Sequence, residues 1–212
     1  MVESALLAAY ELATVLAPFL VAYAIRHAHA RRTGSIPVEF APAFAFVLYV
    51  FAVLYVTGSG TLYDLLRQTA SWGPNDLYLI PFLAADPIGC ALNVVLFLPL
   101  GFSIPLVWKR VDRAFTIGAM GFFFSLAIEL SQLLNHRATD IDDLILNTLG
   151  ALLGFALYRL WSNRANAARS KHVFVSERLP SAREPALYLA VTFAGHFFLF
   201  NEMGIAKLLY GF

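Results

Sequence analysis

Residues 92–102 read LNVVLFLPLGF, and residues 125–154 read SLAIELSQLLNHRATDIDDLILNTLGALLG. Both stretches are apolar enough for lipid, yet Asn93, Glu129, Gln132, Arg137, Asp140, Asp143 and Asn147 fall within or beside them. Charge at membrane depth is costly, so such groups usually face a bundle interior and often mark a functional site. The chemistry of this chain is to be sought among these residues.

Composition extends the membrane reading to the whole chain. Hydrophobic residues make up 59% and charged residues 14%, where a soluble domain would carry about 25% charged. Mean hydropathy is +0.69. The net charge of +1 favours no polyanionic partner, and no basic cluster coincides with a nucleic-acid module. Cys90 is the only cysteine, which excludes an internal disulfide and a thiolate zinc site. The N-terminus lacks the basic flank of a cleavable signal, and its apolar run is too long for one. A retained first transmembrane helix is expected.

A bilayer-spanning helix needs about 20 mostly apolar residues. Six windows qualify: 4–25, 41–56, 87–108, 114–134, 143–161 and 185–200, of which the second and sixth are short. The expected fold is an all-α, polytopic helical bundle of about six transmembrane helices, a single membrane domain over 1–212. Pro18, Pro99 and Pro105 fall inside windows, where membrane helices tolerate proline. Segment 60–86 is no clean span; 61–69 forms a short amphipathic helix, and 78–82 suits an interfacial or re-entrant position.

Basic residues set the expected orientation. Arg26, Arg31 and Arg32 follow the first window, and Lys109, Arg110 and Arg113 the third. Arg159, Arg164, Arg169, Lys171, Arg178 and Arg183 follow the fifth, leaving Arg67, Arg137 and Lys207 for the other side. The positive-inside rule then puts both termini outside the cytoplasm. The polar cluster lies at the outer face in that orientation. The basic loops would also attract anionic membrane lipids.

Helical spacing sorts the cluster into two stripes. Ser125, Glu129, Gln132 and His136 share one helix face, and Asp140, Asp143 and Asn147 share another. The short connection between them makes the two helices antiparallel neighbours. Gly150 and Gly154 permit close helix approach. Asp140 or Asp142 suits helix capping as well as ligand binding, and Arg137 suits a salt bridge as well as a phosphate. Glu129 is either a paired structural carboxylate or an acid/base group. Oxygen ligands from Glu129, Asp140 and Asp143, with His136, would suit Mg²⁺ or Ca²⁺. Their spacing matches no established metal signature, so neither metal nor cofactor is assigned. Glu11 and His196 are placed to pair across the first and sixth helices, as a structural bond or a proton relay.

These residues carry a resemblance. Tyr78…Pro81-Phe82, Asn93…Phe97-x-Pro99-x-Gly101 and Ser125…Glu129-x-x-Gln132 stand in order before Arg137-x-x-Asp140-Ile141-Asp142-Asp143…Asn147-Thr148-x-Gly150 and Gly154. The set resembles the VanZ-like family of bacterial membrane proteins, over a core of about 49–159. Residues 162–212, a basic loop and a further helix, lie beyond it. The resemblance implies a multi-pass protein of the bacterial cytoplasmic (inner) membrane, in a family whose namesake is associated with resistance to the glycopeptide teicoplanin. It brings no settled reaction.

The expected function is an outward-facing polar pocket that binds or acts on a cell-envelope component or a glycopeptide antibiotic. Glu129 and Asp143 are the candidate catalytic pair. Asn93, Gln132, Arg137, Asp140 and Asn147 are the candidate ligand contacts. An intramembrane enzyme on a lipid-linked precursor, a small proton-coupled transporter or flippase, and a membrane scaffold are the alternatives.

Overall fold

The computed structural model describes residues 2–66, 77–78, 81, 86–135, 139–168 and 181–202. Within them the chain forms α1 (Val2–Thr33), α2 (Phe40–Thr57), a short α3 (Leu62–Leu66), α4 (Pro87–Val107), α5 (Ala114–Gln132), α6 (Ile141–Ala168) and α7 (Glu184–Leu199). Five stretches are long and apolar enough to cross a membrane: Ala5–Thr33, Phe40–Leu66, Pro87–Val107, Ala114–Gln132 and Ile141–Ala165. Two-residue strands Leu77–Tyr78 and Thr139–Asp140 pair in parallel, bringing part of segment 60–86 against the α5–α6 connection. Most of the remainder of that segment lies outside the described residues.

Two expectations change in detail. The first helix does not end at Ile25 but runs on to Thr33, so Arg26, Arg31 and Arg32 are helical rather than part of a loop. The sixth window is a helix of only 16 residues, about 24 Å at 1.5 Å per residue. That is short of the roughly 30 Å hydrocarbon core. It packs instead along α1 and against α2 and α5.

The tightest seam joins α4 to α6. A Cβ added at Gly101 would lie 1.7 Å from the Ala151 carbonyl oxygen, and one at Gly154 would lie 2.0 Å from that of Leu98. At Gly150 it would meet the Val94 carbonyl at 2.3 Å. Only hydrogen fits at these three points, so the small residues exist to bring two backbones together. Without a hydrophobic drive between helices in lipid, such close packing is a main source of association. Phe97, Leu100 and Ile104 of α4 form the buried centre with Val47, Val50, Ile117 and Ile128.

The end carrying the α4 and α6 C-termini is closed by an acid. Glu184 is buried and accepts from Arg26 Nη2 at 3.0 Å and from Trp108 Nε1 at 3.2 Å. Pro185 sits in the first turn of α7, where its missing N–H costs nothing. Trp108 is itself fully buried, edge-on to Phe46 at 5.1 Å. Glu184 thus ties α1 and α7 to the end of α4. Every described Lys and Arg, namely Arg26, Arg31, Arg32, Lys109, Arg110, Arg113, Arg159, Arg164 and Arg183, belongs to this half of the bundle. The polar cluster occupies the other end.

Gly101→Ala is expected to destabilise the bundle by about 1–3 kcal/mol, the usual cost of overpacking. Reversible unfolding in detergent micelles reads it directly; an unchanged midpoint would remove the seam from its central place.

Candidate functional site

Two helix N-termini set the geometry. Asp86 caps α4, accepting from the Gly89 amide at 2.9 Å and the Ile88 amide at 3.3 Å, with Pro87 in the first turn. Asp140 caps α6, accepting from the Asp142 amide at 2.9 Å. Both acids satisfy N–H groups that a helix start leaves without partners. The α4–α6 seam then brings Asn93 and Asp143 together, and Asn93 Nδ2 donates to Asp143 Oδ1.

The expected stripes do face one another. Asn147 Nδ2 donates to Ser125 Oγ at 3.0 Å, linking α6 to α5. Glu129 Oε2 accepts from the Asp140 amide at 3.2 Å, so the carboxylate clasps the start of α6. Gln132 turns the other way, donating to the Thr57 carbonyl at 2.7 Å. That carbonyl belongs to the last turn of α2, where a helix end turns its carbonyls to partners outside the helix.

Asn93, Glu129, Gln132, Asp143 and Asn147 line one cavity of about 380 Å³. Its other wall is apolar, with Val56 of α2 and Leu92 and Val95 of α4 at its mouth. These three are more than 60% exposed on the helix surface, so the cavity opens sideways between α2 and α4. Glu129, Gln132 and Asn147 are buried. Among the described residues Asn147 Oδ1 has no hydrogen-bond partner. A buried acceptor in that state is unusual enough to need an explanation.

Five of the seven expected site residues therefore share the cavity. Asp140 is held at its edge through its cap and its amide bond to Glu129. Arg137, with His136, lies outside the described residues. Sequence reasoning missed Thr57, whose contribution is a backbone carbonyl. It also missed the contact of Gly60, whose amide donates to Ser131 Oγ at 3.0 Å. A Cβ at Gly60 would fall 1.9 Å from the Ser131 carbonyl oxygen. Thr57-Gly58-Ser59-Gly60-Thr61, with two glycines just past an apolar window, was the available signal.

Glu11 and His196 do pair, at 3.0 Å between Oε1 and Nε2, and the imidazole Nδ1 lies 3.3 Å from Ser59 Oγ. The crevice of about 510 Å³ between α5 and α7 is lined by residues such as Met120, Phe123, Leu189 and Phe193 and has no ionisable group. It is an apolar groove.

Fold and site together define a polytopic membrane protein with a ligand-sized polar cavity at one end of its bundle. A family model described as VanZ/LLP1 matches residues 46–162. That is more than half of the chain, and the chain belongs to this family. It is 28% identical over 130 residues to Protein VanZ of Enterococcus faecium, an alignment covering 60% of this chain and 80% of that protein. No solved structure matches. The matched region runs from α2 into α6 and holds every residue of the polar cavity, while α1 and α7 lie outside it.

A double-mutant cycle on Asn93→Ala and Asp143→Ala should give a coupling energy of about 0.5–3 kcal/mol in unfolding, as contacting pairs do. Asn93→Ala combined with Arg159→Ala, at the opposite end, should be additive. Additivity in both cycles would remove the bond from the account.

Proposed function

We propose that the lateral cavity binds the head group of an amphiphilic cell-envelope component at the outer face of the bacterial cytoplasmic membrane. One observation carries this reading: the cavity has a polar floor of Asn93, Glu129, Gln132, Asp143 and Asn147 and an apolar mouth of Val56, Leu92 and Val95. A polar head would sit on the floor while its chain leaves between α2 and α4. Asn147 Oδ1 would accept a hydrogen bond from the head group. Arg137 would meet phosphate or carboxylate, which its planar fork suits. Asn93 and Gln132 would orient the ligand, and Glu129 and Asp143 would be its ionisable partners.

The sidedness rests on charge. The described basic residues gather at the end opposite the cavity, and such residues mark cytoplasmic loops. A cysteine replacing Asp86 in a Cys90→Ala background should react with a membrane-impermeant maleimide in intact cells. One replacing Arg164 should react only after lysis. The reverse pattern would put the cavity on the cytoplasmic side.

A second reading is an intramembrane enzyme on a lipid-linked substrate, favoured by the burial of Glu129 beside the cavity. A buried carboxylate within reach of a bound head group is placed for proton transfer. A glycopeptide antibiotic, the ligand class that the family resemblance implies, would meet the same residues. Mass spectrometry of lipid co-purified with the wild-type chain tests the main reading. Arg137→Ala and Asn147→Leu should each lower the retained lipid about tenfold, equivalent to 1.4 kcal/mol. Equal retention by all three proteins would leave the cavity without a ligand role. Turnover of that lipid by wild type but not by Glu129→Gln would select the enzyme.

A further inference from the structure

Glu11, His196 and Ser59 form a buried hydrogen-bonded chain contributed by α1, α7 and the turn after α2. Two of the three lie outside the family-matched region and one inside it. The neutral arrangement that satisfies both bonds has His196 Nε2–H donating to Glu11 and Ser59 O–H donating to Nδ1. A nucleophile, a base and an orienting acid within hydrogen-bond reach would ordinarily suggest a hydrolase.

The electrostatics argue against that chemistry. An oxyanion forming at Ser59 would need N–H donors, and the nearby ones are committed. The Ser59 amide goes to the Leu54 carbonyl, that of Gly60 to Ser131 and that of Thr61 to Asp64. Ser59 also follows the C-terminus of α2, where the helix dipole is negative. Asp64 and Glu202 line the polar cavity of about 320 Å³ beside Ser59, with Tyr63 and Phe200. The engaged amides leave an anion without donors, and the helix dipole with the two carboxylates favours an arriving cation.

We infer that Glu11–His196–Ser59 is a proton-binding relay, filled through the cavity beside Ser59 and coupled to the cavity lined by Gln132 and Asn147. A proton delivered to the Ser59 hydroxyl lets that hydroxyl pass its own proton to Nδ1. His196 then carries two ring protons, with its positive charge held against the Glu11 carboxylate. From α1 the imidazole meets Glu11; Tyr10 is turned to the Leu199 carbonyl. Ser59, not the imidazole, shares the cavity with Asp64 and Tyr63 of α3 and with Glu202 beyond the end of α7. α2 carries no charged residue, and the one carboxylate of α5, Glu129, faces α6. Glu184, Arg26 and Arg183 lie at the far end of α7, about 18 Å away at helical rise.

Coupling follows from the turn that Ser59 occupies. Two residues earlier the Thr57 carbonyl accepts from Gln132, and one residue later Gly60 donates to Ser131. Charging His196 turns Nδ1 from acceptor to donor, so Ser59 Oγ becomes the acceptor and its hydroxyl proton must swing to another partner. Thr57 at the start of that turn and Gln132, which is bonded to it from α5, both line the pocket. The inference needs no ligand in the pocket, so it stands or falls apart from the proposed function.

Nitrogen-15 NMR of the full chain in lipid nanodiscs, with His196 assigned by its loss in His196→Gln, tests this directly. On acidification the His196 ring should pass from one protonated nitrogen to two, and the Gln132 side-chain amide should shift with the same midpoint. In His196→Gln the Gln132 shift should vanish with the spectrum otherwise folded. In Ser59→Ala His196 should still titrate while Gln132 stays put. A ring with one fixed tautomer throughout would overturn the relay, as would a Gln132 shift that persists in His196→Gln. So would covalent capture of Ser59 by a fluorophosphonate, which would assign it as a nucleophile instead.

Discussion

The polar end of the bundle depends on how closely α4 and α6 approach. Their backbones come within reach of each other at Gly101, Gly150 and Gly154, where a methyl group would collide with a carbonyl oxygen. That approach places Asn93 opposite Asp143 and leaves room above the seam for a cavity rather than a plug of side chains. Hydrocarbon offers no water to a stray polar group, so each must find its partner in the protein or in a ligand. The network around the cavity meets that demand almost completely. Asn147 Oδ1 is the exception among the described residues.

The two ends of the bundle answer the same constraint differently. At the basic end Glu184 uses both carboxylate oxygens, one on Arg26 and one on Trp108. Removing one partner of such a buried group is strongly destabilising, although the intact pair need not add stability over apolar packing. At the polar end hydrogen bonds run between helices and into backbone groups: Glu129 to the Asp140 amide, Gln132 to the Thr57 carbonyl, Gly60 to Ser131. The first end is a lock of α1 and α7 onto the family core. The second is a framework around an open volume.

Much of this was legible in the sequence because the signals were local. Apolar windows gave the helices, and i, i+4, i+7 spacing placed Ser125, Glu129 and Gln132 on one stripe. The short α5–α6 connection made that stripe meet Asn147 and Asp140. Glu11 and His196 were matched by depth alone. What escaped was set by helix rotation or backbone. Nothing in the residue pattern says that Gln132 turns to α2 while Glu129 turns to α6, because adjacent members of a stripe diverge by tens of degrees. The Thr57 carbonyl has no side-chain signature at all. The first helix was cut short at Arg26 because a charge normally ends a span; its partner, Glu184, stands 158 residues away.

Membership of the VanZ/LLP1 family supplies a setting in the membrane, and the cavity supplies the chemistry from which a ligand can be argued. The central claim is that an amphiphile enters between α2 and α4. A photoreactive residue at Val56, at the cavity mouth, tests it most directly in living cells, with the exposed Phe115 at the basic end as the reference for ordinary lipid contact. The account predicts a discrete lipid-sized adduct at Val56 that disappears when Gln132 and Asn147 are both replaced by Leu, while the Phe115 adducts stay as they were. An adduct at Val56 that matches the one at Phe115 and ignores those replacements would contradict it.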